Sequence, residues 1–260
     1  MTTMLKRKLY RTVALGFCLL FITIQDIAQE LPFDDTIISE EPVVPNVPAP
    51  ALNKRAVSFV KKYLKDYDRT LTGVKQRSET VFSIMDSVFC IYDIPVQLKY
   101  MAVVESELKT SAKSHVGALG LWQLMPSTAR IFGLRVTNKY DERRYVCKST
   151  VAAAKYLKVL HDEFGDWLLA VAAYNVGSGR VHYAIKMSGS HDFWRLQNFL
   201  PLETRNHVKK FIGVHYYFEG QGSEATLTKA EVLQYRKTIA EFSESNSSAD
   251  EDAKVVTNLP

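Results

Sequence analysis

The stretch whose reading decides the fold runs from Tyr100 to Pro126, YMAVVESELKTSAKSHVGALGLWQLMP. Tyr100, Met101, Ala102, Val103 and Val104 lead straight into Glu105 and Ser106, and a helix that apolar on nearly every side is a buried one. Leu98, Met101 and Ala102 stand seven, four and three residues before Glu105, so they share its face, whereas Glu107 is rotated away by about 200°. Two neighbouring carboxylates thereby receive two environments, and Glu105 is the one expected to be only partly wet. A polar link with Lys109, Lys113 and Ser114 follows, then Gly117-Ala118-Leu119-Gly120 and Leu121-Trp122-Gln123-Leu124-Met125-Pro126. Small residues there allow a backbone and a ligand to approach closely beside an indole, an amide and a thioether.

Outward from this stretch the pattern is helical. On the N-terminal side, Phe59, Val60, Tyr63, Leu64 and Tyr67 recur at helical spacing, as do Val74, Val81, Phe82, Met85, Val88 and Phe89. Pro95 suits the first turn of the helix that ends after Glu105 to Leu108. Pro126 opens a short helix through Phe132, with Gly133 as its stop. Ser149 is expected to cap Val151 to Phe164, Gly165 to end that helix, and Asp166 to cap the next through Tyr174. Ser178 to Met187, Asp192 to Asn198 and Leu202 to Phe218 continue the pattern, and Thr228 with Glu231 forms a capping box for a helix to about Phe242. Alternating strand-like runs are nearly absent, so the expected class is mainly α, as one helical domain over residues 53–242.

The flanks have a different composition. Lys6, Arg7, Lys8 and Arg11 precede an apolar run from Val13 to Ile24, the form of a signal peptide over residues 1–28, with an uncleaved anchor as the rival reading. Pro42, Pro45, Pro48 and Pro50 mark residues 29–52 as an extended linker. Residues 243–260, rich in Ser, Asn and acids, have the composition of a disordered tail. Residues 51–240 hold 28 Lys and Arg against 17 Asp and Glu, while residues 29–50 and 241–260 carry five acids each. A basic exported domain suits an anionic polymer, a membrane surface or nucleic acid, and charge alone does not choose among them. Export leaves Cys90 and Cys147 as either two buried thiols or a disulfide.

A carboxyl with an ordinary pKa of about 4.3 is protonated in only on the order of 1 molecule in 500 at pH 7, so a Glu that is to act as a general acid needs shielding from water. Glu105 is placed for that, although a Glu paired with an Arg near a helix end is the plainer reading of its position. Ser106 and Gln123 have groups for a polar ligand, and Trp122 and Met125 have faces for an apolar one, although as isolated residues all four are more often packing and capping groups. Ala173-Tyr174-Asn175-Val176-Gly177-Ser178-Gly179-Arg180 joins two helices through a glycine turn but lacks the Gly-Lys-Ser/Thr ending of a phosphate loop. The six histidines form no His-Glu-x-x-His helix or Cys/His cluster, so a zinc site is not expected, and the overall reading is of a domain with no metal or organic cofactor.

Taken together, Glu105-Ser106, Gly120-Leu121-Trp122-Gln123 running on to Ala129, Ala173-Tyr174-Asn175 and Leu200-Pro201-Leu202-Glu203-Thr204-Arg205-Asn206-His207 resemble the family 1 lytic transglycosylases, over about residues 90–220. The Trp122 variant and Phe193-Trp194 resemble the transglycosylase D branch most, and that branch's peptidoglycan-binding repeats do not follow in this sequence. The resemblance implies a lysozyme-like fold related to goose-type lysozyme. It also implies an exported enzyme of the periplasm or cell envelope that cleaves the β-1,4 bond between N-acetylmuramic acid and N-acetylglucosamine without water. In this scheme Glu105 is the single acid and base, and the product has a 1,6-anhydro end. That suits a sequence without a convincing second carboxylate. By the same resemblance Ser106, Gln123, Met125, Tyr174 and Asn175 position glycan and acid, and Glu203 supports the cleft. The implied partners are glycan strands of peptidoglycan and proteins of cell-wall synthesis or remodelling. Nucleic acid is not implied, and a membrane is implied only if the leader stays uncleaved. The family usually has Tyr where this chain has His207. The alternatives are a hydrolytic muramidase with the same acid and a glycan-binding scaffold without turnover.

Overall fold

The computed structural model describes the backbone of residues 49–256 and the side chains through residue 243, so the expected signal peptide and nearly all of the expected linker lie outside the described residues. Ten α-helices are described: α1 (Lys54–Arg77), α2 (Glu79–Ile91), α3 (Tyr100–Ser106), α4 (Pro126–Ile131), α5 (Val146–Phe164), α6 (Trp167–Val176), α7 (Ser178–Ser188), α8 (Phe193–Leu196), α9 (Leu202–Glu219) and α10 (Lys229–Val256). Among the described residues no strand forms, and the only β pairing is three isolated bridges, two of them within 113–124. None of the described helices is long and apolar enough to cross a membrane.

Helix α6 is the centre, because Leu168 to Ala173 are all inaccessible to solvent, as a helix apolar all round must be. It packs against α5, α7 and α9, and α9 packs in turn against α1 and α3. Gly213 lets α9 cross α1 closely, since a Cβ there would stand 3.1 Å from the Tyr63 ring. Asp166 ties two elements together. One of its oxygens accepts from Leu169 N at 3.1 Å to cap α6, and the other accepts from Lys229 N at 2.6 Å at the start of α10. Burial pushes its pKa up to about 6 against the pull of these N–H donors. Thr228 and Glu231 form the expected capping box, with Thr228 N donating to the carboxylate and Glu231 N to the hydroxyl.

Several boundaries differ from the sequence pattern. Helix α5 starts at Val146, not after Ser149, and its N-cap residue Tyr145 makes no side-chain cap. A 3-10 turn, Glu142–Arg144, feeds the chain into the helix, and the Ser149 hydroxyl donates back to Val146 O from inside it. Pro95 precedes a 3-10 turn, Val96–Lys99, that leads into α3. Helix α10 continues to Val256, past the expected end near Phe242, through a stretch with no Gly or Pro to stop it. Cys90 and Cys147 are both free and exposed, so they are neither buried thiols nor a disulfide.

Candidate active site

Helix α3 is only seven residues long, and Tyr100, Met101, Ala102, Val103 and Ser106 in it are buried. The apolar side chains that flank Glu105, Leu98, Met101 and Ala102, are wholly so. The helix ends abruptly. Glu107 and Leu108 both adopt positive φ, 54° and 61°, a conformation that costs a non-glycine residue about 1–2 kcal/mol. This turn sends Glu107 outward, where its carboxylate pairs with Lys109 and its main-chain oxygen accepts from Arg77. Glu105 is left as the inward carboxylate, with its side chain 15% exposed.

The partner of Glu105 comes from α9. His207 Nε2 lies 2.8 Å from Glu105 Oε1, and the imidazole is 8% exposed. The other ring nitrogen, Nδ1, is buried without a partner. The contact is a hydrogen bond between the imidazole and the carboxyl, with Nε2–H donating to the carboxylate or the carboxyl O–H donating to Nε2, and in both the bond carries one shared proton.

The loop after α3 is braced from behind. Ser106 is buried, and its hydroxyl donates to Ala102 O at 3.1 Å and Leu121 O at 2.9 Å. This residue fixes the helix end to the loop and presents little to a ligand. Gln123, at φ 43°, donates its amide to Ala112 O at 3.0 Å and Gly120 O at 2.8 Å. Trp122 is fully buried against Phe89 and donates Nε1 to Thr150 Oγ1 at 3.0 Å. It belongs to the core and offers no face to a ligand, the packing role that is the commoner one for such a residue. Met125, by contrast, is 39% exposed beside this loop.

From α6, the Tyr174 hydroxyl donates to Trp122 O at 2.7 Å. Burial, reinforced by the Glu105 charge, holds this phenol far above its ordinary pKa, so it remains a neutral donor. Asn175 accepts at Oδ1 from Thr204 Oγ1 at 2.8 Å, which leaves its NH2 group for other contacts. Glu203, at the first turn of α9, is exposed, and its side chain makes no hydrogen bond or ion pair. Glu105, Ser106, Tyr174 and Asn175 thus share one continuous set of contacts with the loop and with α9, and Glu203 takes part in none of them. Among the described residues no three His, Cys, Asp or Glu side chains gather as metal ligands.

Two parts of this arrangement were not foreseen from the sequence. One is the direct contact of His207 with the acid, whose signal was the His at a position where Tyr is usual. The other is a clamp on the loop. Arg143, itself buried, is held by Asp141 and donates through Nη1 to Gly117 O and Leu124 O, both at 2.8 Å. Gly120 is pressed against this clamp so closely that a Cβ would stand 2.1 Å from Arg143 O.

Fold and site together define a lysozyme-like helical domain with a sheltered carboxyl, Glu105, beside a braced loop. Residues 92–197 match the family model of the transglycosylase SLT domain. Membrane-bound lytic murein transglycosylase D of Escherichia coli K12 is 45% identical over 127 residues, which are 47% of this chain and 28% of that protein. The soluble lytic murein transglycosylase of the same strain is 31% identical over 134 residues, 48% of this chain and 21% of the relative. The chain therefore spans under a third of the length of these curated relatives. A solved complex of the 70-kDa soluble lytic transglycosylase with bulgecin A aligns with a TM-score of 0.51 at 22% identity, covering 66% of this chain and 32% of that one, which speaks to the fold.

Proposed function

We propose that this chain is a peptidoglycan lytic transglycosylase, exported to the cell envelope, with Glu105 as its only acid and base. Glu105 donates its proton to the glycosidic oxygen as the bond from that oxygen to C1 of N-acetylmuramic acid breaks. The same carboxylate then takes the proton of the muramoyl C6 hydroxyl, whose oxygen closes onto C1 to give the 1,6-anhydro ring. One group serves both steps and returns to its starting state, so no water and no second carboxylate is consumed. The observation that carries this reading is the isolation of Glu105. It is sheltered, it is bonded to His207 at 2.8 Å, and its near neighbour Glu107 is turned out to Lys109. The murein enzymes to which the chain is related support the substrate.

Within this scheme His207 holds the carboxyl in place through the shared proton. Tyr174 and the Ser106 brace fix the loop against α3, and the Asn175 amide, Gln123 and Met125 are available to the glycan. Mass spectrometry of muropeptides released from purified peptidoglycan tests the proposal. The wild type releases anhydro-muropeptides and Glu105→Gln releases none. Reducing ends from the wild type would make the enzyme a hydrolase, and an equally active Glu105→Gln would remove Glu105 from the chemistry.

A further inference from the structure

Two cavities of about 230 and 500 Å³ adjoin at the start of α6, and His161, Trp167, Glu224 and Arg236 line both, so they form one groove. Trp167 is the first residue of α6, and the seven-residue rise from it to Tyr174 puts the groove about 10 Å from the site along that helix. Pro95, which also lines the groove, precedes the turn that leads into α3, and Glu105 stands near the other end of α3. The groove and the site thus lie at opposite ends of the same two segments.

The groove is built around a fixed indole. Trp167 stacks on His161 with ring centroids 3.8 Å apart and planes 16° from parallel. Asp166, the residue before it, has its oxygens taken by main-chain N–H groups of α6 and α10. Trp167 nevertheless stays partly exposed, whereas Trp122 and Trp194, the other two tryptophans of the chain, are buried. Beside it Arg236 donates through Nε and Nη2 to the two oxygens of Glu224, both at 2.6 Å, which fixes a planar pair in the wall. The remaining charges balance, with Asp93 and Asp162 matched in number by Lys158 and Lys229. Burial lowers the His161 pKa below its ordinary 6.5, so this ring is neutral at pH 7. An ion gains little net attraction from such a lining. A neutral ring with an apolar face for the indole and hydroxyls for the carboxylates and cations finds a partner at every wall.

We infer that this groove is a second saccharide-binding site, remote from Glu105, that stacks a sugar ring of an uncharged N-acetylated glycan on Trp167 and bonds its hydroxyls to Lys158, Asp162, Glu224 and Arg236. The choice of an N-acetylated glycan rests on the peptidoglycan reading, and the saccharide chemistry of the groove does not. Sites at opposite ends of the domain engage separate strands, or separate stretches of one. The groove therefore raises the effective concentration of an insoluble polymer at the cleft and does nothing for a short soluble chain.

The test uses Glu105→Gln, so that no sugar is consumed, with the tetramer of β-1,4-linked N-acetylglucosamine as probe. Acrylamide quenches an exposed indole far more than a buried one, so quenching of this chain reads Trp167. The tetramer is expected to shield that indole, bringing quenching down to the level left when Trp167→Phe removes it. Asp162→Ala combined with Arg236→Gln, both exposed positions, is expected to weaken the tetramer's affinity in this assay about tenfold. The cationic deacetylated tetramer is expected to shield nothing. Unchanged quenching at millimolar N-acetylated tetramer overturns the inference, and this arm needs no variant of the groove. Equal shielding by the cationic tetramer also overturns it, because the groove would then read charge. So does shielding that keeps its full affinity in the double variant, since the sugar would then act on Trp167 from the cleft. Quenching reads the groove whether or not anhydro products form, so its failure is separable from failure of the proposed reaction.

Discussion

Replacing Gly120 by Ala, with Gly117→Ala as its control, separates the loop clamp from ordinary backbone strain. Both glycines have positive φ, 82° and 93°, so both substitutions carry a similar conformational cost of about 1–2 kcal/mol. They differ in what the new methyl meets. At Gly117 nothing lies within 4 Å, whereas at Gly120 the Cβ would stand 2.1 Å from the main-chain oxygen of Arg143. That oxygen is backbone and no rotamer change relieves the overlap, so the Glu142–Arg144 turn must move. Its movement pulls the Arg143 guanidinium from Gly117 O and Leu124 O. Hydrogen bonds to a charged group contribute about 1.5–3 kcal/mol each, which brings the total for Gly120→Ala to about 4–8 kcal/mol. A domain of this kind has about 5–15 kcal/mol in all. With a urea slope of about 2 kcal/mol/M, Gly117→Ala should lower the unfolding midpoint by about 0.5–1 M and Gly120→Ala by 2 M or more. Urea titration followed by circular dichroism measures both. Equal midpoints for the two variants would refute the reasoning, since the Arg143 contact would then contribute nothing.

Other outcomes follow from single contacts. Burial holds His215 at a pKa of about 4, below its ordinary 6.5. Between those values the unfolded chain binds a proton that the folded one refuses, so stability present above pH 6.5 falls by up to about 3 kcal/mol as pH drops through 4. His215→Gln should lose less stability than the wild type between pH 7 and 4 in urea titrations, and an identical loss would clear His215 of the effect. Thr150→Val leaves the Trp122 indole N–H unpaired in the core and should cost about 1–3 kcal/mol in thermal unfolding, with glycan affinity unchanged. A matching loss of affinity would return Trp122 to the ligand. His207→Phe removes the hydrogen bond to Glu105 and should lower kcat by about 10- to 100-fold with little change in KM, as expected for a charged hydrogen bond of about 1.5–3 kcal/mol. His207→Tyr should restore much of that rate, and failure of Phe to lower it would detach His207 from the acid.

The parts of the fold that were legible in the sequence are those set by local chemistry. Asp166, Gly165 and the Thr228–Glu231 pair mark helix ends because caps and stops act over three or four residues, and α6 is apolar enough to be central whatever surrounds it. The boundary at Ser149 was misplaced because a serine inside a helix and a serine at its cap look alike in sequence. Only the preceding 3-10 turn distinguishes them. Trp122 has the composition of a ligand platform, and it is the distant Phe89 and Thr150 that make it core. The Arg143 clamp ends on main-chain oxygens, which carry no side-chain signature, so nothing in the sequence identified its partners.

The same distinction divides the candidate site. The residues within seven positions of Glu105 on its face, Leu98, Met101 and Ala102, are wholly buried, and that much of its environment could be read from one stretch. Its orientation depends on His207, 102 residues away, and on the loop that Ser106, Tyr174 and Arg143 hold from three different elements. Shelter alone would give a carboxyl without a direction. The contacts that aim it converge from α5's leading turn, α6 and α9, and each ends on a carbonyl of the loop or on the carboxyl itself. In the proposed reaction a proton leaves for a glycosidic oxygen and returns from a neighbouring hydroxyl, and both steps need a donor fixed to within a fraction of an ångström. The bracing of a short, strained helix end by three distant elements meets that demand, and it accounts for an enclosed polar network beside an otherwise apolar core.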